Sequence, residues 1–476
     1  MNKSIIELSN LLKKKKISSL ELTKIYLKKI KNSKLNTFIN INKKKSIKDA
    51  KKADKIIYNK NNTILTGIPI AHKDIFVTKY NKTTAGSKFL KKYISPYDSF
   101  IIKKFNKFNM INLGKLNCDE FAIGSDNSNS YFKKVINYLD KLSIPGGSSG
   151  GSASAVSANL IPAATASDTG GSIIQPCSLC GVTGIKPTYG RISRFGMISF
   201  ASSLDQAGII SNNAEDCGIL LSIISGFDKN DNTSLNKNFE YFNKNLNKSL
   251  EKTIIGLPIE FFNQGLSIKI ENKINDVIKI YKKLGVKFID ISLKKNKISN
   301  LTYDILSSIE VMSNLSRYDG IKYGKYNKKK KFLKNLIYNR NFNLGKEVKK
   351  RILKGLIYSS SKYYKNIYSK SLKFRYSIYK EYYNFFNNNI LNCNAILIPI
   401  FSDLGYNIKS KNINNKMNDI FTISTNLSGL PSISIPCGYI KNKIYKKKNI
   451  SFQIIGNYYK ENKILNIAHK YQNFIK

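Results

Sequence analysis

The chain has no tryptophan, two histidines, ten prolines and six cysteines in 476 residues, and 30 acidic residues stand against 80 basic ones. Each scarcity closes something off. Six cysteines (Cys118, Cys177, Cys180, Cys217, Cys393 and Cys437) are too few to staple so long a chain, so its stability must come from a core. Cys177 and Cys180 form one C-x-x-C without a second pair or a neighbouring histidine, which falls short of a zinc site. No apolar run reaches the ~18–20 residues that span a bilayer, and no leader-like apolar stretch opens the chain, so a cytoplasmic protein is expected. The formal charge of +50 points toward nucleic acid. The lysines, however, run through the whole length beside abundant Asn, Ile and Tyr, as drift in overall composition would spread them.

A length of 476 residues exceeds the ~250–300 at which single cores stop growing, so one elaborated unit or two domains is expected. Residues 4–16 read as a helix. A second begins at Ser18, where Glu21 completes a capping box and Leu22, Ile25, Tyr26 and Ile30 share a face. Residues 46–58 read as a polar third helix. A buried strand at Thr66–Asp74, a helix from Asp98 to Phe108 and a strand at Met110–Leu113 suggest a βαβ unit and a mixed, mostly parallel sheet. Gly150–Asn159 reads as a small-residue helix, and Leu160–Ala166 as a strand running into Asp168-Thr169-Gly170-Gly171-Ser172. Residues 300–390 are helical and polar. No linker divides the chain, so a single α/β domain over 1–476 is expected, with N-terminal helices in 1–60, a core over 64–225 and a helical insertion over 300–390.

The segment Ser143–Pro176 concentrates small residues: Gly146-Gly147-Ser148-Ser149-Gly150-Gly151, then Gly170-Gly171-Ser172. A flexible linker is not flanked by strand and helix patterns on both sides. A phosphate-binding loop of the Walker type needs Gly-Lys-Ser/Thr, and no lysine stands there. What remains is acyl transfer. Ser172 is the candidate nucleophile, and the backbone N–H groups of Thr169, Gly170 and Gly171 are candidates for an oxyanion hole, in which each donor is worth about 2.7–4 kcal/mol. A serine nucleophile needs a base. His469 lies in the closing helix; His72 precedes Lys73, a strand-end lysine that burial could hold neutral.

The motifs Gly67-Ile68-Pro69-Ile70-Ala71-His72-Lys73-Asp74, Asp119-Glu120-Phe121-Ala122, Pro145–Ser152, Ser167–Ser172 and Gly184-Ile185-Lys186-Pro187-Thr188-Tyr189-Gly190-Arg191 resemble those of the amidase-signature family. Within it the chain is most similar to the glutamine-hydrolysing A subunits of tRNA-dependent amidotransferases. The match is dense from 64 to 225. The resemblance implies the amidase-signature α/β fold and a triad of Ser172, Ser148 in a cis peptide, and Lys73. It implies Ser149 and Ser167 as hydrogen-bonding support, and Arg351, Asp419 and Tyr303 as groups that hold the substrate. It also implies glutamine as ammonia source, B and C subunits in a heterotrimer, and Glu-tRNA(Gln) or Asp-tRNA(Asn) as acceptor. No cofactor is implied in this chain; ATP and Mg²⁺ would belong to the B subunit. Ile174 stands where the family usually has arginine, which removes a cation expected to brace the nucleophile loop. His72 replaces a small apolar residue, and as an imidazolium it would oppose protonation of Lys73. The rival readings are a stand-alone amidase for a small carboxamide and a basic RNA-binding protein with a relic site.

Overall fold

The computed structural model describes residues 3–237, 239–262, 265–323, 331–388, 390–404, 420–441 and 447–475. Helices α1 (Ile5–Lys13) and α2 (Ser19–Asn32) each open on a reciprocal capping box. Ser4 and Ser18 accept from the N–H groups of Glu7 and Glu21, whose carboxylates accept from the serines' own N–H groups. The face of α2 carrying Leu22, Tyr26 and Ile30 is buried, as its spacing predicts. After β1 (Phe38–Ile41) comes α3 (Lys43–Tyr58), three residues longer at its start than the pattern suggests. The expected βαβ unit is β2 (Pro69–Lys73), α4 (Phe100–Lys107) and β3 (Ile111–Leu116), with β2 and β3 parallel.

The small-residue segment becomes α5 (Gly150–Ser157) and β4 (Ala163–Asp168), followed by α6 (Ile174–Cys180), β5 (Thr183–Lys186), β6 (Gln206–Ser211) and α7 (Ala214–Ile224). Glycine is needed in α5 for close approach, since a Cβ on Gly151 would stand 2.2 Å from the Asn117 carbonyl oxygen. Next come β7 (Ile254–Pro258), α8 (Ile259–Phe262), α9 (Ile268–Lys283) and β8 (Lys287–Ile291). The polar region holds α10 (Ser299–Asn314), α11 (Phe332–Asn343), α12 (Lys346–Ser359), α13 (Ser361–Tyr363) and α14 (Ser369–Phe386). The chain finishes with β9 (Ala395–Pro399), the helix Ile420–Ser428, β10 (Ser432–Ile440), β11 (Lys448–Gly456) and the helix Glu461–Phe474.

Among the described residues, eleven strands join one mixed sheet in the order β1-β3-β2-β4-β6-β5-β10-β11-β9-β7-β8. Four pairings are parallel, β2 with β3 and β4, and β7 with β8 and β9. The other six are antiparallel, a larger antiparallel share than the mostly parallel sheet expected from the alternation of strands and helices. Four of the six involve β1, β5 and β6, short strands that the pattern does not announce: β1 pairs with β3, and β5 and β6 pair with each other and with β10 and β4. All six residues of β4 are buried, which suits a central strand covered on both faces and explains its run of alanines. Because β2 and β4 are parallel neighbours, their carboxyl ends, Lys73 and Asp168, open onto the same edge of the sheet. Crevices at such ends are where open α/β sheets hold ligands. Among the described residues no helix is long and apolar enough to cross a membrane.

Candidate active site

Successive side chains of a strand point to opposite faces, so His72 and Lys73 part company at the end of β2. Lys73 is fully buried, and its Nζ donates to Ser148 Oγ at 2.8 Å, Ser149 Oγ at 2.8 Å and Ser167 Oγ at 2.9 Å. Burial pulls the amine down to about 8, against the opposing fields of Cys118, Asp119, Asp168 and Asp205. Ser149 Oγ–H donates to the Ser167 carbonyl at 3.0 Å, so toward Lys73 its oxygen can only accept. When the amine is neutral, a proton can therefore reach it from Ser148 or Ser167. The Gly147–Ser148 peptide is cis. His72 lies elsewhere. Its ring stacks on Phe105 at 5.8 Å, and Nδ1 is 3.4 Å from Thr165 Oγ1. Burial, with Lys115 nearby, holds the imidazole down at about 3. The expectation that an imidazolium acts on Lys73 is thus corrected: at neutral pH His72 carries no charge.

Ser172 follows β4 on the loop that enters α6, and it is 9% exposed. That loop turns around the Asp168 carboxylate. Oδ1 accepts from the Gly171 N–H and from Asn426 Nδ2, both at 2.6 Å, and Oδ2 accepts from the Ile173 N–H at 2.6 Å and the Ile174 N–H at 3.4 Å. Gly171 has φ +125°, and a Cβ there would stand 2.4 Å from Thr422 Oγ1, so the turn needs glycine. Gly171 was expected among the oxyanion donors, but its N–H is already given to Asp168. Among the described residues no hydrogen bond engages the N–H groups of Thr169, Gly170 or Ser172, which leaves these three for an anion. The Thr169 hydroxyl donates to Asp205 Oδ1 at 2.7 Å, and Thr422 Oγ1 donates to the Gly170 carbonyl at 2.8 Å, which orients the peptide. Ile174 is 1% exposed and part of the apolar core. With isoleucine at 174 no cation braces the loop from that position; the Asp168 carboxylate and the Asn426 amide hold it.

Ser172 lines a cleft together with Gly147, Gly170, Tyr303 and Arg351. The Tyr303 ring lies against Gly170, where a Cβ would be 2.6 Å from Cζ. Arg351, on α12, reaches Asp304 Oδ1 at 2.9 Å, Ser307 Oγ at 3.3 Å and Glu347 Oε1 at 3.6 Å. Lys354 shares Asp304 at 2.8 Å, and with Lys350 the cluster sets three cations against two carboxylates, a surplus that suits an anionic group. Asp419 lies outside the described residues. Cys177 and Cys180 are buried on α6, where burial pushes both thiols up and Cys180 Sγ lies 3.4 Å from the Pro145 carbonyl. The sequence pattern did not reveal Asp168, Asn426, Thr422 or Asp205. A carboxylate directly before a Gly-Gly turn was a usable signal for Asp168. The other three had none, since they come from 36 to 258 residues away.

The Amidase family profile matches residues 21–465. The A subunit of the glutamyl-tRNA(Gln) amidotransferase from Janthinobacterium sp. (strain Marseille) is 48% identical over 99% of this chain and 97% of its own length. Its counterpart of the same name from Coxiella burnetii (strain Dugway 5J108-111) is 44% identical, with the same coverage. Among solved structures, the glutamyl-tRNA(Gln) amidotransferase A subunit from Thermotoga maritima superposes with a TM-score of 0.75 at 32% identity, covering 94% of this chain and 90% of that one.

Proposed function

The chain belongs to the amidase family, and from that premise we propose that it is the glutamine-hydrolysing A subunit of a tRNA-dependent amidotransferase. The observation that carries the chemistry is the buried Lys73 amine among three serine hydroxyls, one of them on Ser148 next to Gly147, which lines the same cleft as Ser172 and Arg351. In this reading Ser172 Oγ attacks the side-chain amide carbon of glutamine. Its proton passes to Ser148, whose own proton passes to neutral Lys73. The tetrahedral oxyanion faces the N–H groups of Thr169, Gly170 and Ser172. Collapse breaks the C–N bond, and the proton returns through Ser148 to the nitrogen, which leaves as ammonia. Water, deprotonated along the same path, then releases glutamate from the Ser172 ester.

Arg351 takes the substrate carboxylate and Asp419 its ammonium, with Tyr303 beside them. Ser149 and Ser167 hold the Lys73 amine. The ammonia passes within a heterotrimer to the B subunit, which uses ATP and Mg²⁺ to activate Glu-tRNA(Gln), or Asp-tRNA(Asn), with a C subunit completing the assembly. The enzyme works in the cytoplasm. The test is glutamine hydrolysis by the assembled enzyme and by its Ser172→Ala variant. Loss of at least ~99% of turnover is expected, and residual hydrolysis above about 1% of the parent rate would refute Ser172 as nucleophile.

A further inference from the structure

Asp119 and Glu120 are adjacent, both are buried, and the reaction sequence above uses neither. Asp119 accepts from the N–H groups of Asn127 and Asn129, each at 3.1 Å. It lies so close to Gly147 that a Cβ there would stand 2.2 Å from its Oδ2, so it supports the segment that presents Ser148. Glu120 reaches instead into the helical insertion. Its Oε1 accepts from Ser87 Oγ at 2.5 Å and its Oε2 from the Gly345 N–H at 2.8 Å. Gly345 is the N-cap of α12, the helix that carries Arg351. A carboxyl group rooted in the signature core, which burial raises to about 7, thus holds the N-cap N–H of the helix that supplies the substrate-facing cation.

Two further facts single out this contact. Gly345 has φ −69° and ψ 166°, a conformation open to any residue, so backbone freedom does not explain glycine there. What does is space, since a Cβ would stand 2.3 Å from Glu120 Oε2. The seam around it is closely packed: the Lys88 amine sits 3.4 Å from the Phe342 ring centroid, the Phe121 and Tyr318 rings are 4.8 Å apart, and Leu344 is buried.

We propose that Glu120 is a positioning residue: by holding the Gly345 N–H it sets how closely α12 docks on the signature core, and so where Arg351 stands in the cleft. Glu120 thereby governs the preference for an amide that bears a carboxylate. This rests on the reading of Arg351 as the carboxylate partner. Displacement of a recognition group by about 1 Å can cost on the order of a hundredfold.

The test compares Glu120→Ala and Gly345→Ala in the assembled enzyme, with KM and kcat measured separately on glutamine and on a small neutral carboxamide. Each variant is expected to raise KM for glutamine about 10- to 100-fold, with carboxamide hydrolysis changed less than about threefold. The double variant should be no worse than Glu120→Ala alone, because removing the carboxylate makes room for the methyl. Glu120→Gln keeps an acceptor for the Gly345 N–H and should retain the parent KM. Equal loss on both substrates with KM unchanged would mean a merely structural contact and overturn the proposal. Should Glu120→Ala fail to accumulate folded, Gly345→Ala decides the matter by the same criterion. Arg351→Ala, run alongside, separates the two levels. If it raises KM for glutamine while the Glu120 and Gly345 variants do not, this inference alone falls. If it too leaves the glutamine-to-carboxamide ratio unchanged, the recognition reading falls and the inference with it.

Discussion

Lys73 offers the most quantitative test, because its burial translates into a rate. Moving a lysine from 10.5 to about 8 disfavours the ammonium by roughly 3 kcal/mol. At pH 7 about a tenth of the amine is then neutral, against about 0.03% for an ordinary lysine, a gain of roughly 300-fold in competent base. kcat/KM, which reports the free enzyme, should rise about tenfold per pH unit from 6 to 7.5 and level off above about 8. Measuring a neutral carboxamide beside glutamine keeps the titration of the substrate's own amine out of the result. Lys73→Met should lose about 10²–10⁴ in rate together with the pH dependence. The same group gives a stability signature. Between about 8 and 10.5 the unfolded chain binds a proton at this lysine that the folded chain does not, so Lys73 adds stability as pH rises across that window; Lys73→Met should lose that contribution while keeping the one from Lys186, which burial also holds at about 8. A rate still climbing tenfold per unit at pH 9–10, or flat from 6 to 8.5, would refute the buried neutral amine. So would an unaltered Lys73→Met enzyme.

Asp168→Asn replaces one acceptor oxygen by a donor facing the loop N–H groups. It should destabilise the fold by about 1–3 kcal/mol and cut kcat on both substrates together, as read by thermal unfolding and turnover; a wild-type kcat would show that the Asp168 brace does not shape the loop. His72 provides an acid-stability test. Since burial holds its ring at about 3 rather than 6.5, the unfolded chain takes up a proton in that interval that the folded one refuses, and stability drains away as pH falls through it. His72→Leu should move the acid-unfolding midpoint to lower pH, and an unmoved midpoint would mean that the ring is not held neutral.

The start of α2 was legible because its signal is local: the Ser18 to Glu21 box spans three residues and both partners lie in view of each other, whereas α3, which has no side-chain cap, begins three residues before its pattern. Ala214–Ile224 and Glu461–Phe474 were readable end to end for the same reason, an apolar period with a polar boundary. Thr183–Lys186 was not, since four residues with a central glycine show no alternation, and the strand exists because β6 and β10 flank it. Ser172, Ser148 and Lys73 were nominated from motifs, and the structure brings Lys73 to Ser148 across 75 residues of chain. The oxyanion donors needed revision. A glycine N–H looks free until the position of the neighbouring carboxylate is known, and Asp168 takes the one at Gly171.

The sequence by itself determined where the chemistry is concentrated: two glycine-framed serine sites, a strand ending in lysine, and the capped helices around them. Backbone freedom, capping and apolar periodicity act between neighbours, so they are written in adjacent residues. Only the tertiary structure decided which hydroxyls surround the amine, which N–H groups stay open, and that His72 turns away. It alone also joined Asp168 to Asn426 and Glu120 to Gly345. These outcomes depend on burial and on partners brought together from as much as 258 residues apart, and a buried polar group takes its character from whatever the fold places within about 3 Å of it.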